Sequence, residues 1–194
     1  MKKICFSEQY GLQQSVMEWL KTHTRRVIPK SMTERVMKFQ QEYYDATLDL
    51  LKGKELYNHY FFTEKIEKPP FEVGEIVAIA QKYQDIYNDE CNPLQFPDGA
   101  GWNNKMYVKP GLMPHHIRIL NVWIENLQDI TDAGCIAEGI KKTENGYYEI
   151  GFMPDSPTFF NSRFAYAWLI DKISGKETWD SNPLVFAYEF ERID

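Results

Sequence analysis

The sequence predicts an α+β fold in which a small barrel-like sheet is decorated by helices. Three observations lead there. Short strand-like segments alternate with helical segments of unequal length, no regular βαβ rhythm runs through the 194 residues, and neither an internal repeat nor a low-complexity tract interrupts them.

The elements follow in order. Val16, Met17, Trp19 and Leu20 recur at near-helical spacing and predict a short helix over Gln13–Leu20, with the next residues at its end. Arg26-Val27-Ile28 opens a strand, and Pro29 stops any continuing helix. From Ser31 the period is helical again, with Thr33 as cap and Val36, Phe39, Tyr43, Ala46, Leu50 and Leu51 on one side toward Gly53. Lys54–Pro70 has no clean period and reads as a connection.

Phe71–Ala80 carries a turn at Gly74 followed by a β-branched run, the best strand of the first half. Asn88–Asn104, rich in Pro, Gly, Asn and Asp, is a long loop, and Lys105–Val108 a short strand. His116–Leu127 alternates as a half-buried strand with one slip near Asn121. Asp129–Ile140 is a short helix capped by Thr131, and Lys141–Pro157 a hairpin turning at Asn145-Gly146. A helix over Phe159–Ser174 stops at Gly175, and Pro183–Arg192 forms an alternating strand.

Composition bounds the function. A chain that is 43% hydrophobic and 26% charged forms a globular core. Its formal net charge of -6 opposes non-specific coating of nucleic acid, although a local basic pocket is compatible with it. Cys5, Cys91 and Cys135 are far apart, odd in number and without CxxC spacing, so neither a disulfide framework nor a zinc site is indicated. With no signal-peptide pattern and no run near the ~18 apolar residues of a membrane span, a cytoplasmic protein is expected. Neither a metal nor an organic cofactor is expected.

The chemistry concentrates in Lys21-Thr22-His23-Thr24-Arg25-Arg26. An amine, two hydroxyls, an imidazole and two guanidiniums within six residues are all groups that bind or attack carbonyls and phosphates. His115-His116, beside Pro114, is a second candidate. Neighbours on a strand point to opposite faces, so a shared metal is disfavoured, and one histidine facing a pocket as hydrogen-bond donor or proton shuttle is the functional option. Among the aromatics, which make up 15% of the chain, Trp102 or Trp19 is placed against a nucleobase, and Trp123 and Trp179 in the core. Asp129 is read as capping or orienting the helix that follows it.

Four segments, taken together and in order, resemble the ASCH domain, a β-barrel related to the PUA RNA-binding domain, and its phage- and prophage-associated bacterial branch. They are Lys21–Ile28, similar to G-x-K-T-x-T-R-R; Val73–Ala78, similar to a hydrophobic-G-[DE]-hydrophobic strand opening; Arg118–Gly139, similar to a strand, L-x-D-[IL] and a short helix ending in E-G; and Trp179–Glu191, similar to a closing W-x-x-N-P strand. The resemblance implies one PUA-like domain over 1–194, with insertions at about 32–70, 88–102 and 141–157. It departs at Trp19, where the family has glycine; a bulky ring there is expected to narrow or reshape the site.

Some relatives remove an acyl group from N4-acetylcytidine with a Lys, a Thr and a Glu. The resemblance transfers these roles to Lys21, Thr24 and Glu138. A threonine hydroxyl attacks only once a base takes its proton, and a lysine is that base only if its pKa falls, a direction Arg25, Arg26 and burial favour. Glu138 then either protonates the leaving amine or holds Lys21 in place. The plain alternative is a set of ordinary ion pairs, worth ~0 to 1 kcal/mol if exposed. Two functions stay open: a module that recognises RNA or a modified nucleotide through Lys21, Thr24, Arg25 and Arg26, or an amidohydrolase. A phage-derived accessory protein with a vestigial pocket is a third.

Overall fold

A computed structural model describes residues 1–47, 58–59, 68–87 and 99–194. In chain order its elements are β1 (Lys2–Ile4), α1 (Leu12–Met17), β2 (His23–Val27), α2 (Lys30–Thr47), β3 (Ile76–Ile79), α3 (Tyr83–Ile86), β4 (His116–Asn126), α4 (Asp132–Ala137), β5 (Ile140–Lys142), β6 (Tyr148–Ile150), α5 (Ser162–Ser174) and β7 (Leu184–Arg192). The fold is α+β. Its main sheet has five strands in the order β1-β3-β4-β7-β2, parallel between β1 and β3 and antiparallel elsewhere, and β5 and β6 form a separate hairpin.

The long central strand β4 shows how pattern becomes geometry. Ile117 and Ile119 face the core; the ladder then slips, with Ile119 opposite Phe190 and Asn121 opposite Glu189. Leu120 is the extra residue. The slip resets the two-residue period, so Val122 and Ile124 face the core in turn, and Trp123 and Glu125 go to the other face. This is the slip the sequence predicts near Asn121. Each fully buried isoleucine contributes about 1.5 to 3 kcal/mol relative to exposure.

Other expectations hold with shifted ends. Gly74 turns the chain into β3 with φ of +83°. Thr131 caps α4 by accepting a hydrogen bond from the Gly134 N–H. The hairpin turns at Asn145-Gly146, with Gly146 N–H bonded to the Thr143 carbonyl at 3.0 Å. Helix α5 begins at Ser162 because the Asn161 side chain caps Phe164 N–H, and it ends at Gly175, where φ is +110°.

Four expectations are corrected. The described strands do not close into a barrel, since β1 and β2 remain edges. β1 is only three residues long, and side chains rather than a ladder bridge the opening: Arg26 Nη2 donates to the Cys5 carbonyl at 2.7 Å, while Leu12 of α1 and Leu169 and Ile170 of α5 fill the space. β7 does not alternate; as an interior strand it is buried on both faces from Leu184 to Tyr188. Lys105–Tyr107 is a 3-10 turn, because the Asn104 side chain accepts from Met106 N–H and competes with extended pairing. Thr33 lies inside α2, its hydroxyl turned back to the Pro29 carbonyl. The expected continuation to Leu50 and Leu51, most of the Lys54–Pro70 connection and the bulk of the Asn88–Asn104 loop lie outside the described residues.

Among the described residues no helix is long and apolar enough to cross a membrane.

Candidate functional site

From His23 on the Lys21 motif is strand, and Lys21 and Thr22 lead into it rather than ending a helix. Helix α1 stops at Met17, and Leu20 N–H and Lys21 N–H both fold back onto the Ser15 carbonyl at 2.9 Å. Thr22 N–H then reaches the Ala137 carbonyl at 2.9 Å, and the chain enters the ladder beside β7. The reversal passes through Trp19 at φ of +61°, a left-handed conformation in which glycine carries no steric penalty. That accounts for the glycine in the similar motif. The Trp19 ring does not narrow the site: it is 58% exposed, lines neither cavity described below, and carries the Arg192 guanidinium 4.6 Å from its centroid.

Four charged side chains form a buried chain. Lys21 Nζ donates to Glu138 Oε2 at 2.5 Å and to the Glu138 carbonyl at 2.9 Å. Arg25 Nη1 donates to Glu138 Oε1 at 3.1 Å, and its Nε to Glu125 Oε1 at 2.8 Å. Trp123 Nε1 donates to Glu125 Oε2 at 2.9 Å. The Lys21 and Glu138 side chains are 1% and 5% exposed, so these are not ordinary surface pairs. In so dry a site, removing one partner strands the other charge at about 3 to 5 kcal/mol.

Placement of these groups follows from local structure. Thr131 caps α4, and Gly139, at φ of +101°, ends it, which leaves Glu138 as the terminal residue opposite Lys21. Arg25, Ala187 and Trp123 lie side by side across β2, β7 and β4, and the small Ala187 leaves room for the larger pair to approach Glu125. Glu125 was not singled out in the sequence. Only the slip in β4, which sends odd-numbered residues after Asn121 away from the core, points to it.

Burial pushes the Lys21 amine below its ordinary pKa; the Glu138 carboxylate opposes that shift, and Arg26 and Arg25 add to it. Arg25 goes the other way: burial disfavours its charge, but Glu138, Tyr166 and Glu125 outweigh it and raise the pKa. Burial lowers His23 against the pull of Glu189 and Glu138.

Alternation along β2 separates two cavities. The first, about 80 Å³, is lined on its polar side by Lys21, Thr24, Arg25, Arg26, Glu138 and Tyr166, and on its apolar side by residues including Leu12 and Leu169. The second, about 290 Å³, lies against His23, Trp123, Glu125, Asp129 and Thr131. Arg25 borders both. The His23 and Trp123 rings meet edge-on, 5.9 Å between centroids.

The structure therefore brings together Lys21, Thr24, Arg25, Arg26 and Glu138. It does not bring Trp102, His115 or His116 to either cavity. Trp102 packs on Tyr87; His116 Nδ1 lies 2.5 Å from Asp194 Oδ2; His115 precedes β4, its carbonyl bonded to Ile79 N–H. Trp123, expected in the core, is half-buried at the second cavity, whereas Trp179 does pack against the core. Asp129 does not cap α4, a role Thr131 fills, and instead reaches the second cavity. Tyr166, which the sequence did not mark out, closes the first cavity from α5.

Among the described residues no group of three or more His, Cys, Asp or Glu side chains is placed to hold a metal ion. No protein-family model matches the chain, no curated protein matches it significantly in sequence, and no solved structure matches it significantly in fold.

Proposed function

We propose that this protein is an ASCH-type amidohydrolase acting on an acylated pyrimidine nucleoside such as N4-acetylcytidine. The PUA-like relationship is part of the proposal and rests on the order of the four motifs. The observation that carries the chemistry is the pair of hydrogen bonds from Lys21 Nζ to Glu138. In this reading Lys21, once it has given up its extra proton, keeps two N–H groups for these two acceptors and holds its lone pair for the cavity whose wall it shares with Thr24.

In this reading Thr24 Oγ1 attacks the acyl carbonyl while Lys21 takes the hydroxyl proton. The carbon–oxygen π pair moves to the oxygen. On collapse the C–N bond breaks, and the amine nitrogen leaves with the proton from Lys21. Water, deprotonated by the same lysine, then cleaves the threonyl ester and releases the acid. Glu138, a carboxylate accepting from both Lys21 and Arg25, is a positioning residue that holds Lys21 in place rather than the proton donor.

The test is incubation of the pure protein with N4-acetylcytidine, repeated with Lys21→Ala, Thr24→Val and Glu138→Gln. Turnover by the wild type and its loss in Lys21→Ala and Thr24→Val is expected. No turnover by the wild type, or equal turnover by all four proteins, removes hydrolysis.

One observation favours a second reading, a non-catalytic module that binds a nucleotide or an RNA base. The second cavity, with Trp123 and His23 on its wall, is near the roughly 300 Å³ at which small-molecule pockets begin, and the first is far below it. Uridine binding that Trp123→Ala abolishes, in a protein without hydrolytic activity, is the outcome expected of that module.

A further inference from the structure

Charge is the property of the second cavity that neither reading above uses. Its wall carries the half-buried rings of His23 and Trp123, which meet at 72° with centroids 5.9 Å apart and so form an aromatic corner. The indole is fixed in place, because its Nε1 donates to Glu125 Oε2 at 2.9 Å. Ala133 and Ala137 of α4 add two methyl groups to the lining, and Asp129 adds a carboxylate. None of these five residues except the fixed indole's partner Glu125 is buried, so solvent, and a ligand, can reach the rings, the methyl groups and Asp129.

The lining holds one cation, Arg25, and two carboxylates, Glu125 and Asp129. Arg25 is answered within the protein: its Nε and Nη2 lie 2.8 and 2.7 Å from Glu125 Oε1, and its Nη1 lies 3.1 Å from Glu138 Oε1. Asp129, exposed, is in no ion pair among the described residues. Neither is Glu189, which the ladder seats opposite His23, on the same face of the sheet. Burial holds His23 toward its neutral form against the pull of Glu189, so the imidazole does not cancel these charges. Arg163 binds the Gln128 and Ile130 carbonyls and does not line the cavity.

The cavity thus joins a negative field to an aromatic and apolar wall. A phosphate is repelled there and a cation is drawn in. A metal ion needs several converging donor atoms, and among the described residues no such group is present. A weakly hydrated organic cation needs only aromatic faces and methyl groups around it, with a carboxylate nearby.

We propose that the second cavity is a binding site for a quaternary ammonium group, with Trp123 and His23 against its methyl groups and Asp129 as its counter-ion. At about 290 Å³ the space holds such a head group together with a short chain. The inference goes beyond both readings above. Hydrolysis in the first cavity does not require it, and stacking of a neutral base requires no charge on the ligand.

Choline is the probe, and the alcohol with a tert-butyl group in place of the trimethylammonium head is its neutral control of the same shape. Titration by NMR or calorimetry is expected to show saturable choline binding, at least about tenfold tighter than the control. Asp129→Lys reverses one charge at an exposed position. It is expected to weaken choline at least about tenfold and to leave the control unchanged. Trp123→Leu removes the ring and is expected to abolish choline binding, and Trp123→Phe, which keeps an aromatic face, to retain part of it. Should either Trp123 variant unfold because Glu125 loses a donor, the neutral control and Asp129→Lys still decide the matter.

Absence of saturable choline binding, equal affinity for choline and its control, or unchanged choline affinity in Asp129→Lys overturns the proposal. Uridine separates this site from the base-binding module. Choline binding without uridine binding sustains the ammonium site and removes the module. Uridine binding that is lost in Trp123→Ala, in a protein that does not bind choline, sustains the module and overturns the ammonium site.

Discussion

Lys21 is bonded twice to one residue, through Nζ to the Glu138 carboxylate at 2.5 Å and to the Glu138 main-chain carbonyl at 2.9 Å. A side chain on the approach to β2 is thus fixed by both the side chain and the backbone of the residue that ends α4. Glu138→Ala removes the first bond and leaves Lys21 and one arm of Arg25 without their carboxylate. A loss of about 3 to 5 kcal/mol is expected, read as a fall in the urea midpoint at constant m. Replacing both partners by apolar residues, Lys21→Met with Glu138→Leu, is expected to recover most of it, because the lysine charge is gone with its carboxylate and Arg25 keeps Glu125.

Stability should also depend on pH through Lys21. Its folded pKa lies below the ordinary 10.5, so between the two values the unfolded chain binds more protons than the folded one. Stability from this group therefore rises with pH across that window and levels off above 10.5. Urea unfolding at a series of pH values is expected to show a positive slope in the wild type that is reduced in Lys21→Met. Hydrolytic activity is expected to rise with pH over the lower part of the same window, as the amine loses its proton.

Trp19 gives a backbone test. At φ of +61° any residue with a Cβ is strained by about 1 to 2 kcal/mol, so Trp19→Gly should be more stable than Trp19→Ala by about 1 kcal/mol. Both lose the Arg192 contact, which cancels in the comparison. Since the ring lies outside the cavities, neither substitution should change KM. Thermal melts and substrate titrations read the two effects independently.

Gly11 should tolerate no side chain. A Cβ there would lie 2.2 Å from the Phe152 carbonyl carbon, and φ is already +62°. Backbone against backbone has no flexible end to yield, so Gly11→Ala should lose at least about 3 kcal/mol, seen as a lowered melting temperature or as failure to fold. The contact matters because it locks α1, which leads into Lys21, to the turn that follows β6.

Much of this architecture was legible in the sequence for reasons that can be stated residue by residue. The change of phase between Ile119 and Val122 announced the slip in β4, and Thr131 and Gly175 mark helix ends by chemistry that is local in sequence. The Lys21 motif was visible as a concentration of reactive groups. What pattern alone could not supply was long-range pairing. Nothing near Arg25 indicates Glu125, 100 residues away; the 3-10 turn at Lys105 is a different case, set locally by the Asn104 side chain two residues before the N–H it accepts from. The open sheet was missed because closure depends on whether β1 finds an edge partner, and three residues carry too little pattern to tell.

The pairing of β2 with β7 sets the order in which the Lys21 cluster can assemble. Residues 23–27 pair in the sheet with residues 185–189, and Lys21 meets a carboxylate 117 positions downstream. During synthesis the N-terminal motif must therefore wait, reactive groups unassembled, until the segment carrying β7 has been translated. Contacts of such long sequence separation form slowly. A nascent or truncated chain lacking residues 184–192 has the side chains of Lys21 and Thr24 but no frame to align them, so the cluster assembles only with a finished fold.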